Sequence, residues 1–220
     1  MAPTYLCRFP GSRSYGRRGS ALPIMAPSTG IEESKAALRR EAMARRDALP
    51  AEERKAAAEA IAARNFPLAI ALGTVVSGFM PLKSEINPLP LMQALAQAGA
   101  RLALPAIAGR GKPLIMRAWA WGEELDRGQW DIREPKSAAA EVEPDILLVP
   151  LLAFDRTGHR IGYGAGYYDM TINRLRARKP LTAIGIAFAA QEVLAVPATP
   201  RDARLDLVLT EREVIDLRGG

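Results

Sequence analysis

Histidine and cysteine are nearly missing from this chain. Cys7 is its only cysteine and His159 its only histidine. One cysteine excludes an intrachain disulfide, a thiolate metal cluster and a secreted scaffold held by several disulfides. One histidine excludes a multi-histidine metal site, and a Ser-His-Asp or Cys-His engine would have to be built on that single imidazole. A long apolar run is missing too. The longest stretch without charge, Asn65 to Leu82, is interrupted by Pro67, Gly73, Gly78 and Pro81. It suits neither a bilayer-spanning helix nor any other long helix, so a soluble protein with no membrane partner is expected. Any chemistry then falls to carboxylates, lysines, arginines, backbone amides and a bound cofactor.

What is present is an ordinary globular composition: 220 residues, 49% hydrophobic and 25% charged, enough for one domain with a full core. The net charge is +6, and four of those charges lie in residues 1–30 as Arg8, Arg13, Arg17 and Arg18, with no acid beside them. The rest of the chain is only mildly basic. That argues against nucleic acid as a partner, whereas a polyanionic small substrate needs only a few placed cations. Residues 1–27 are rich in Arg, Ser, Gly and Pro without an apolar period. The expected reading is a disordered basic extension, or translation starting at Met25. A leader into the mitochondrial matrix is the competing one, disfavoured by the missing amphipathic stripe. A single domain over 28–220, cytoplasmic and monomeric, is expected.

Thr29-Gly30-Ile31-Glu32 fits a capping box, so a helix is expected from there to about Leu49, and Pro50 opens a second through Arg64. Short strands are expected over Thr74–Phe79, Arg101–Leu104, Asp145–Val149, Ala183–Phe188 and Leu205–Leu209. The alternation of Leu114, Met116, Ala118 and Ala120 adds another. Helices are expected over Pro88–Ala98, closed by Gly99, and over Tyr167–Arg178. Strands alternating with helices indicate an α/β layered sheet, mostly parallel.

The most informative stretch is Arg160-Ile161-Gly162-Tyr163-Gly164-Ala165-Gly166-Tyr167-Tyr168-Asp169, placed between a strand and a helix. Glycines at every second position let backbone amides approach an anion without a Cβ in the way, and the helix start adds free N–H groups and a positive dipole end. Arg160 can fork a phosphate, and Asp169 can reach a magnesium ion carried on it. The spacing is neither the dinucleotide fingerprint nor a Walker A loop. On spacing alone, phosphate binding and a plain tight turn stand level. Lys35 and Arg39 share a helix face, and a solvated basic face, as Arg40, Arg45 and Arg46 suggest, is the plain alternative. Glu85 follows a strand end, where open α/β sheets bind ligands, and a carboxylate there can accept from N–H groups of a ring. Trp130 suits ring stacking or a core position equally. Trp119 and Trp121 read as structural.

Together these segments resemble the 5-formyltetrahydrofolate cyclo-ligase family, over about Lys35 to Thr210. That family has a signature R-L-G-x-G-x-G-Y-Y-D preceded by V-P-x-x-x-F-D-x-x-G. The match here is Val149 to Gly158, then Arg160 to Asp169, with Ile161 for the leucine. Ala165 stands where many members carry Gly or Lys, and Pro88 where Thr is usual. The resemblance implies a three-layer, Rossmann-like α/β domain with an open, mostly parallel sheet and helices on both faces. It implies that Lys35, Arg39, Arg160, Gly162, Gly164, Gly166, Tyr167 and Tyr168 hold ATP, with Arg160 and Tyr167 catalytic. It implies folate contacts from Met80, Glu85, Trp130, Tyr163, Gly164, Ala165, Gly166 and Tyr167, and Mg2+ on Asp169 and Asp202. Trp130 lies in a loop like the family's W-x-I-x-x-P, and Asp202 follows a V-P pair by five residues. His159 is not required by the pattern and reads as an exposed loop residue.

The activity so implied is ATP-dependent closure of 5-formyltetrahydrofolate to 5,10-methenyltetrahydrofolate, giving ADP and phosphate. It needs no protein Ser, Cys or His as nucleophile, in keeping with a chain that has one His and one Cys. Two other classes compete: a sugar-phosphate isomerase or acyl-transfer relative that turns over without ATP, and a non-enzymatic protein that binds RNA or a partner through residues 1–27.

Overall fold

The computed structural model describes Met1 and residues 28–219; the expectations for residues 2–27 lie outside the described residues. In chain order the elements are α1 (Ser28–Asp47), α2 (Ala51–Ala63), β1 (Val75–Ser77), α3 (Leu89–Gln97), β2 (Arg101–Ala106), β3 (Ile115–Ala118), β4 (Leu125–Arg127), β5 (Arg133–Pro135), β6 (Ile146–Pro150), β7 (Ala153–Phe154), β8 (Arg160–Ile161), α4 (Tyr167–Arg176), β9 (Thr182–Ile186), β10 (Leu207–Leu209) and β11 (Val214–Asp216). A seven-stranded sheet runs β11-β10-β9-β6-β1-β2-β3. Its interior neighbours from β2 to β10 are all parallel, and the edge strands β3 and β11 are antiparallel.

Burial on both faces explains why β6 reads as an unbroken apolar run. Ile146 and Leu148 face one side, with Ala57, Ala58 and Ile61 of α2 and Leu91, Met92 and Leu95 of α3. Leu147 and Val149 face the other, with Ile172 and Leu175 of α4. The period of two therefore sorts one strand into two cores, and the molecule has three layers with helices on both faces. Close approach of α3 is set by Gly78, where a Cβ would run into the Met92 thioether. Truncating a residue such as Leu148, fully buried between layers, costs about 3 kcal/mol.

The order of the strands determines where a ligand fits. From β1 the chain moves outward through α3 to β2. From β6 it moves outward in the opposite direction, through α4 to β9 and then β10. The carboxyl ends of β1 and β6 thus flank a switch point, the place where open α/β sheets leave a crevice. Helix α1 lies over that end, packing Ala42 against Leu152, Ala153 and Ile161 of the β7–β8 hairpin.

Several expectations need correction. Helix α1 begins at Ser28, so Thr29 is inside it rather than capping it, and it stops at Asp47. The Thr74–Phe79 strand is regular only over Val75–Ser77. Helix α4 ends at Arg176, and the last expected strand shrinks to Leu207–Leu209. The hairpins β4–β5 and β7–β8 and the edge strand β11 were not anticipated; each strand is two or three residues long, too short to show a period. Trp119 is buried, but Trp121 is 45% exposed and leans on it with ring centroids 5.6 Å apart. His159 is half-buried, not exposed, with Nδ1 2.9 Å from Thr157 Oγ1. Arg46 is not on a solvated face; it is among the most buried side chains. No helix among the described residues is long and apolar enough to cross a membrane.

Candidate functional site

A cavity of about 390 Å³ opens at the switch point. Lys35, Arg39, Met80, Glu85, Trp130 and every residue from Arg160 to Asp169 line it, together with Asp202. Residues separated by more than a hundred positions in sequence are therefore brought to one wall by α1, the β1 exit, the β4–β5 hairpin, the glycine loop and the turn before β10.

The loop is aimed by a structural anchor. Asp155, almost fully buried, accepts hydrogen bonds from Thr157 N (2.9 Å), Thr157 Oγ1 (2.6 Å), His159 N (3.2 Å) and Val196 N (2.8 Å). Burial works against its carboxylate, but these donors outweigh it and hold the pKa below its ordinary 3.8. The turn they form reverses the chain into β8 and delivers Arg160. Beyond it, Gly164 and Gly166 have φ of 103° and 70°, a region that favours glycine. At Gly164 the positive φ rather than space calls for glycine, since a Cβ there would make only an ordinary contact, 3.4 Å from the Arg39 guanidinium carbon. The Arg39 Nε donates to the Gly162 carbonyl at 3.1 Å and ties the loop to α1. Residues 163–166 stay exposed, and the start of α4 stands directly behind them.

Two ion pairs stand beside the loop. Arg160, with only 4% of its side chain exposed, donates to Asp169 Oδ1 at 2.9 Å and to the Ala203 carbonyl at 2.5 Å. Lys35 Nζ lies 2.7 Å from Asp202 Oδ2, which also accepts from Thr199 N and Thr199 Oγ1. Burial disfavours the Asp202 carboxylate, but Lys35 and Thr199 prevail and hold its pKa below the usual value. The residues read as two phosphate cations and two metal carboxylates therefore meet as two matched pairs. Among the described residues no cluster of three or more His, Cys, Asp or Glu could hold a metal. Asp169 and Asp202 fit a magnesium ion that arrives on phosphate oxygens and takes one or two carboxylates, and do not fit an all-protein cage.

The other end of the cavity is built around Glu85, 8% exposed. Its Oε2 accepts from Leu82 N at 2.8 Å. Burial pushes its pKa above 4.5, with the Leu82 N–H and the charge of Arg46 opposing. Trp130 is 62% exposed, which removes the core reading, and its ring centroid lies 6.0 Å from that of Tyr167. Trp130 and Asp131 both have positive φ, 59° and 61°, a strained turn that lifts the indole off the hairpin.

Sequence reasoning missed Arg46, Glu32, Arg133 and Glu134. Arg46 lies seven residues after Arg39, on the same helix face, and Glu32 three before Lys35, so helical spacing could have found both. Arg133 and Glu134 sit in the loop that carries Trp130 and line the same cavity; nothing in their spacing marks them.

The sequence model of the 5-formyltetrahydrofolate cyclo-ligase family matches residues 31–211. The 5-formyltetrahydrofolate cyclo-ligase of Mycolicibacterium smegmatis is 34% identical over 198 residues, covering 84% of this chain and 98% of that protein. The Escherichia coli K12 protein of the same name is 31% identical, covering 77% and 96%. Among solved structures, the 5,10-methenyltetrahydrofolate synthetase of Aquifex aeolicus superposes with a TM-score of 0.69 at 29% identity, over 84% of this chain and 94% of that one.

Proposed function

This chain belongs to the 5-formyltetrahydrofolate cyclo-ligase family, and from that premise we propose that it closes 5-formyltetrahydrofolate to 5,10-methenyltetrahydrofolate with ATP, releasing ADP and phosphate. The observation that carries the reading is one cavity whose wall holds cations, a glycine loop, a buried carboxylate and exposed aromatic rings.

The formyl group on N5 is an amide, and its oxygen leaves poorly. Transfer of the γ-phosphoryl to that oxygen forms an O–P bond as the bond to ADP breaks. N10 then attacks the formyl carbon and gives up its proton, and the carbon–oxygen bond breaks with loss of phosphate. The nucleophile toward ATP belongs to the substrate, so the protein's task is positioning and charge stabilisation. Arg160, Lys35, Arg39 and the amides around Gly162, Gly164 and Gly166 hold the phosphates, with Tyr167 and Tyr168 at the helix start behind them. Asp202 and Asp169, which pair with Lys35 and Arg160, would hold Mg2+ once those two cations engage a triphosphate. When bound, that ion neutralises charge on the transferring oxygens. Glu85 accepts from the pterin N–H groups, and Met80, Trp130, Tyr163, Ala165 and Tyr167 enclose the ring. The reaction runs in a monomer.

The test is direct. Purified protein mixed with 5-formyltetrahydrofolate and Mg-ATP produces methenyl absorbance, and omission of ATP abolishes it. Absorbance that grows equally without ATP points instead to the isomerase or acyl-transfer class. Deletion of residues 1–27 leaves the rate intact, whereas a protein acting through that segment loses its binding.

A further inference from the structure

Arg46 follows Lys35 by eleven residues and Arg39 by seven, so all three project from one face of α1. Lys35 and Arg39 line the cavity, and Arg46 lies behind its wall, 1% exposed. Its Nε donates to Ser84 Oγ at 3.0 Å and its Nη2 to the Tyr163 hydroxyl at 2.8 Å. Ser84 in turn donates to Asp47, the last residue of α1. The third nitrogen, Nη1, is buried with no hydrogen-bond partner and stops 4.0 Å from Glu85 Oε1. A buried guanidinium with an unsatisfied nitrogen is unfavourable, and an apolar side chain of similar length would avoid that cost.

We propose that Arg46 is a positioning residue for the folate end of the cavity, setting a positive charge against Glu85 while fixing Tyr163 of the glycine loop. The inference rests on the folate reading of this cavity. The 4.0 Å gap is the informative feature. It is too long for a hydrogen bond, yet short enough for a strong interaction between charges in a buried site. Arg46 therefore favours the carboxylate form of Glu85 without donating to it, while the Tyr163 hydroxyl that Arg46 holds donates to the same carboxylate. The lone pairs that Leu82 N and Tyr163 leave open remain for donors on the substrate. Through Tyr163 the same guanidinium reaches the loop between Gly162 and Gly164, so a single buried side chain sets two walls that must close on one ligand.

The groups facing Glu85 besides Arg46 are Tyr163 from the glycine loop and Tyr168 from α4, with Asp47 reached through Ser84. Burial raises both phenols above their ordinary values, so neither titrates in the acid range. Removing Arg46 raises the folded-state pKa of Glu85 further, so the carboxylate is lost at a higher pH as the solution is acidified.

The experiment compares Arg46→Met and Arg46→Lys with the parent protein. Arg46→Met raises the KM for 5-formyltetrahydrofolate about 30-fold, within the range for an interaction to a buried charge. It changes the KM for ATP less than threefold, and it moves the acid limb of kcat/KM for the folate to higher pH. Arg46→Lys restores the acid limb but not the whole folate KM, because an ammonium cannot reach Ser84 and Tyr163 together. In a Glu85→Gln background the Arg46→Met shift of the acid limb disappears, which separates Glu85 from Asp47. A Met variant with parental circular dichroism and an unmoved acid limb and folate KM overturns the proposal, as does equal loss toward both substrates. Should Arg46→Met not fold, the Lys variant carries the test, and a Lys variant that loses the acid limb refutes it. A carboxyl carbon-13 titration of labelled protein, with Glu85 assigned by Glu85→Gln, reads the shift without turnover. It therefore distinguishes failure of this inference from failure of the cyclo-ligase reading.

Discussion

The two ends of the cavity handle charge in opposite ways. Beside the glycine loop two of the three cations have a carboxylate within hydrogen-bonding distance, Lys35 with Asp202 and Arg160 with Asp169, while Arg39 donates to the Gly162 carbonyl. Beneath the β1 exit, Arg46 and Glu85 approach to 4.0 Å and form no hydrogen bond with each other. The first arrangement is self-neutralised and must exchange partners when a ligand enters. The second is fixed before any ligand arrives. The difference suits the ligands proposed for each end. A magnesium-bound triphosphate brings both signs of charge, so anions and cations on the protein can trade one for one. A reduced pterin brings neutral N–H groups, and these need an acceptor that is already oriented.

The comparison breaks most visibly at Arg160. Replacing it with Ala leaves Asp169 without its partner and removes a buried cation from the phosphate end. Breaking a pair of this kind costs about 3 kcal/mol of stability, so the melting temperature falls by about 10 °C. The kcat/KM for ATP falls about a thousandfold, as for loss of a group that stabilises developing charge, while folate binding by the folded variant stays within a factor of five. Calorimetry and initial rates with each substrate varied in turn decide it. Equal loss toward both substrates would mean that the two ends are not separable.

Glu85→Ala is the counterpart at the other end. Removing a charged acceptor that is not in a matched pair raises the folate KM about 10- to 100-fold and leaves the KM for ATP within a factor of three. A folate titration identical to the parent's takes Glu85 out of the site. The variant also reverses the usual burden on stability: Arg46 is then left buried without the Glu85 charge beside its unbonded Nη1, so Glu85→Ala lowers the melting temperature and Glu85→Ala/Arg46→Met recovers part of it.

These two ends were not equally legible in the sequence. The parallel interior was, because β6 and β9 are apolar on both faces and their flanking helices carry a helical period. The phosphate end was legible through the alternating glycines, whose requirement for positive φ is a local property of Gly164 and Gly166. The spacing of Arg46 from Arg39 placed it on the same helix face, but its burial was not legible, because that depends on α1 crossing the carboxyl end of the sheet. The same holds for the pairing of Lys35 with Asp202, 167 positions apart. The β4–β5 hairpin escaped for a different reason: its strands have three residues each, mostly exposed, and carry no apolar stripe.

That hairpin supplies the smallest effect and the finest cut between the two ends. Trp130 is held at φ 59° with its indole 62% exposed and its ring near Tyr167, and Tyr167 is the first residue of α4, behind the glycine loop. A stacked ring contributes about 0.5–1.5 kcal/mol beyond its buried area. Trp130→Ala therefore raises the folate KM about 3- to 10-fold with kcat nearly unchanged, because an exposed ring that encloses the ligand acts on binding rather than on phosphoryl transfer. Stability should hardly move, since the side chain is mostly in solvent. Binding of 5-formyltetrahydrofolate quenches the parent's indole fluorescence, and the quench is largely lost in Trp130→Phe while Trp119 and Trp121 still emit. If the quench persists in that variant, the folate end does not extend to the hairpin, and the ring near Tyr167 belongs to the nucleotide half of the cavity instead.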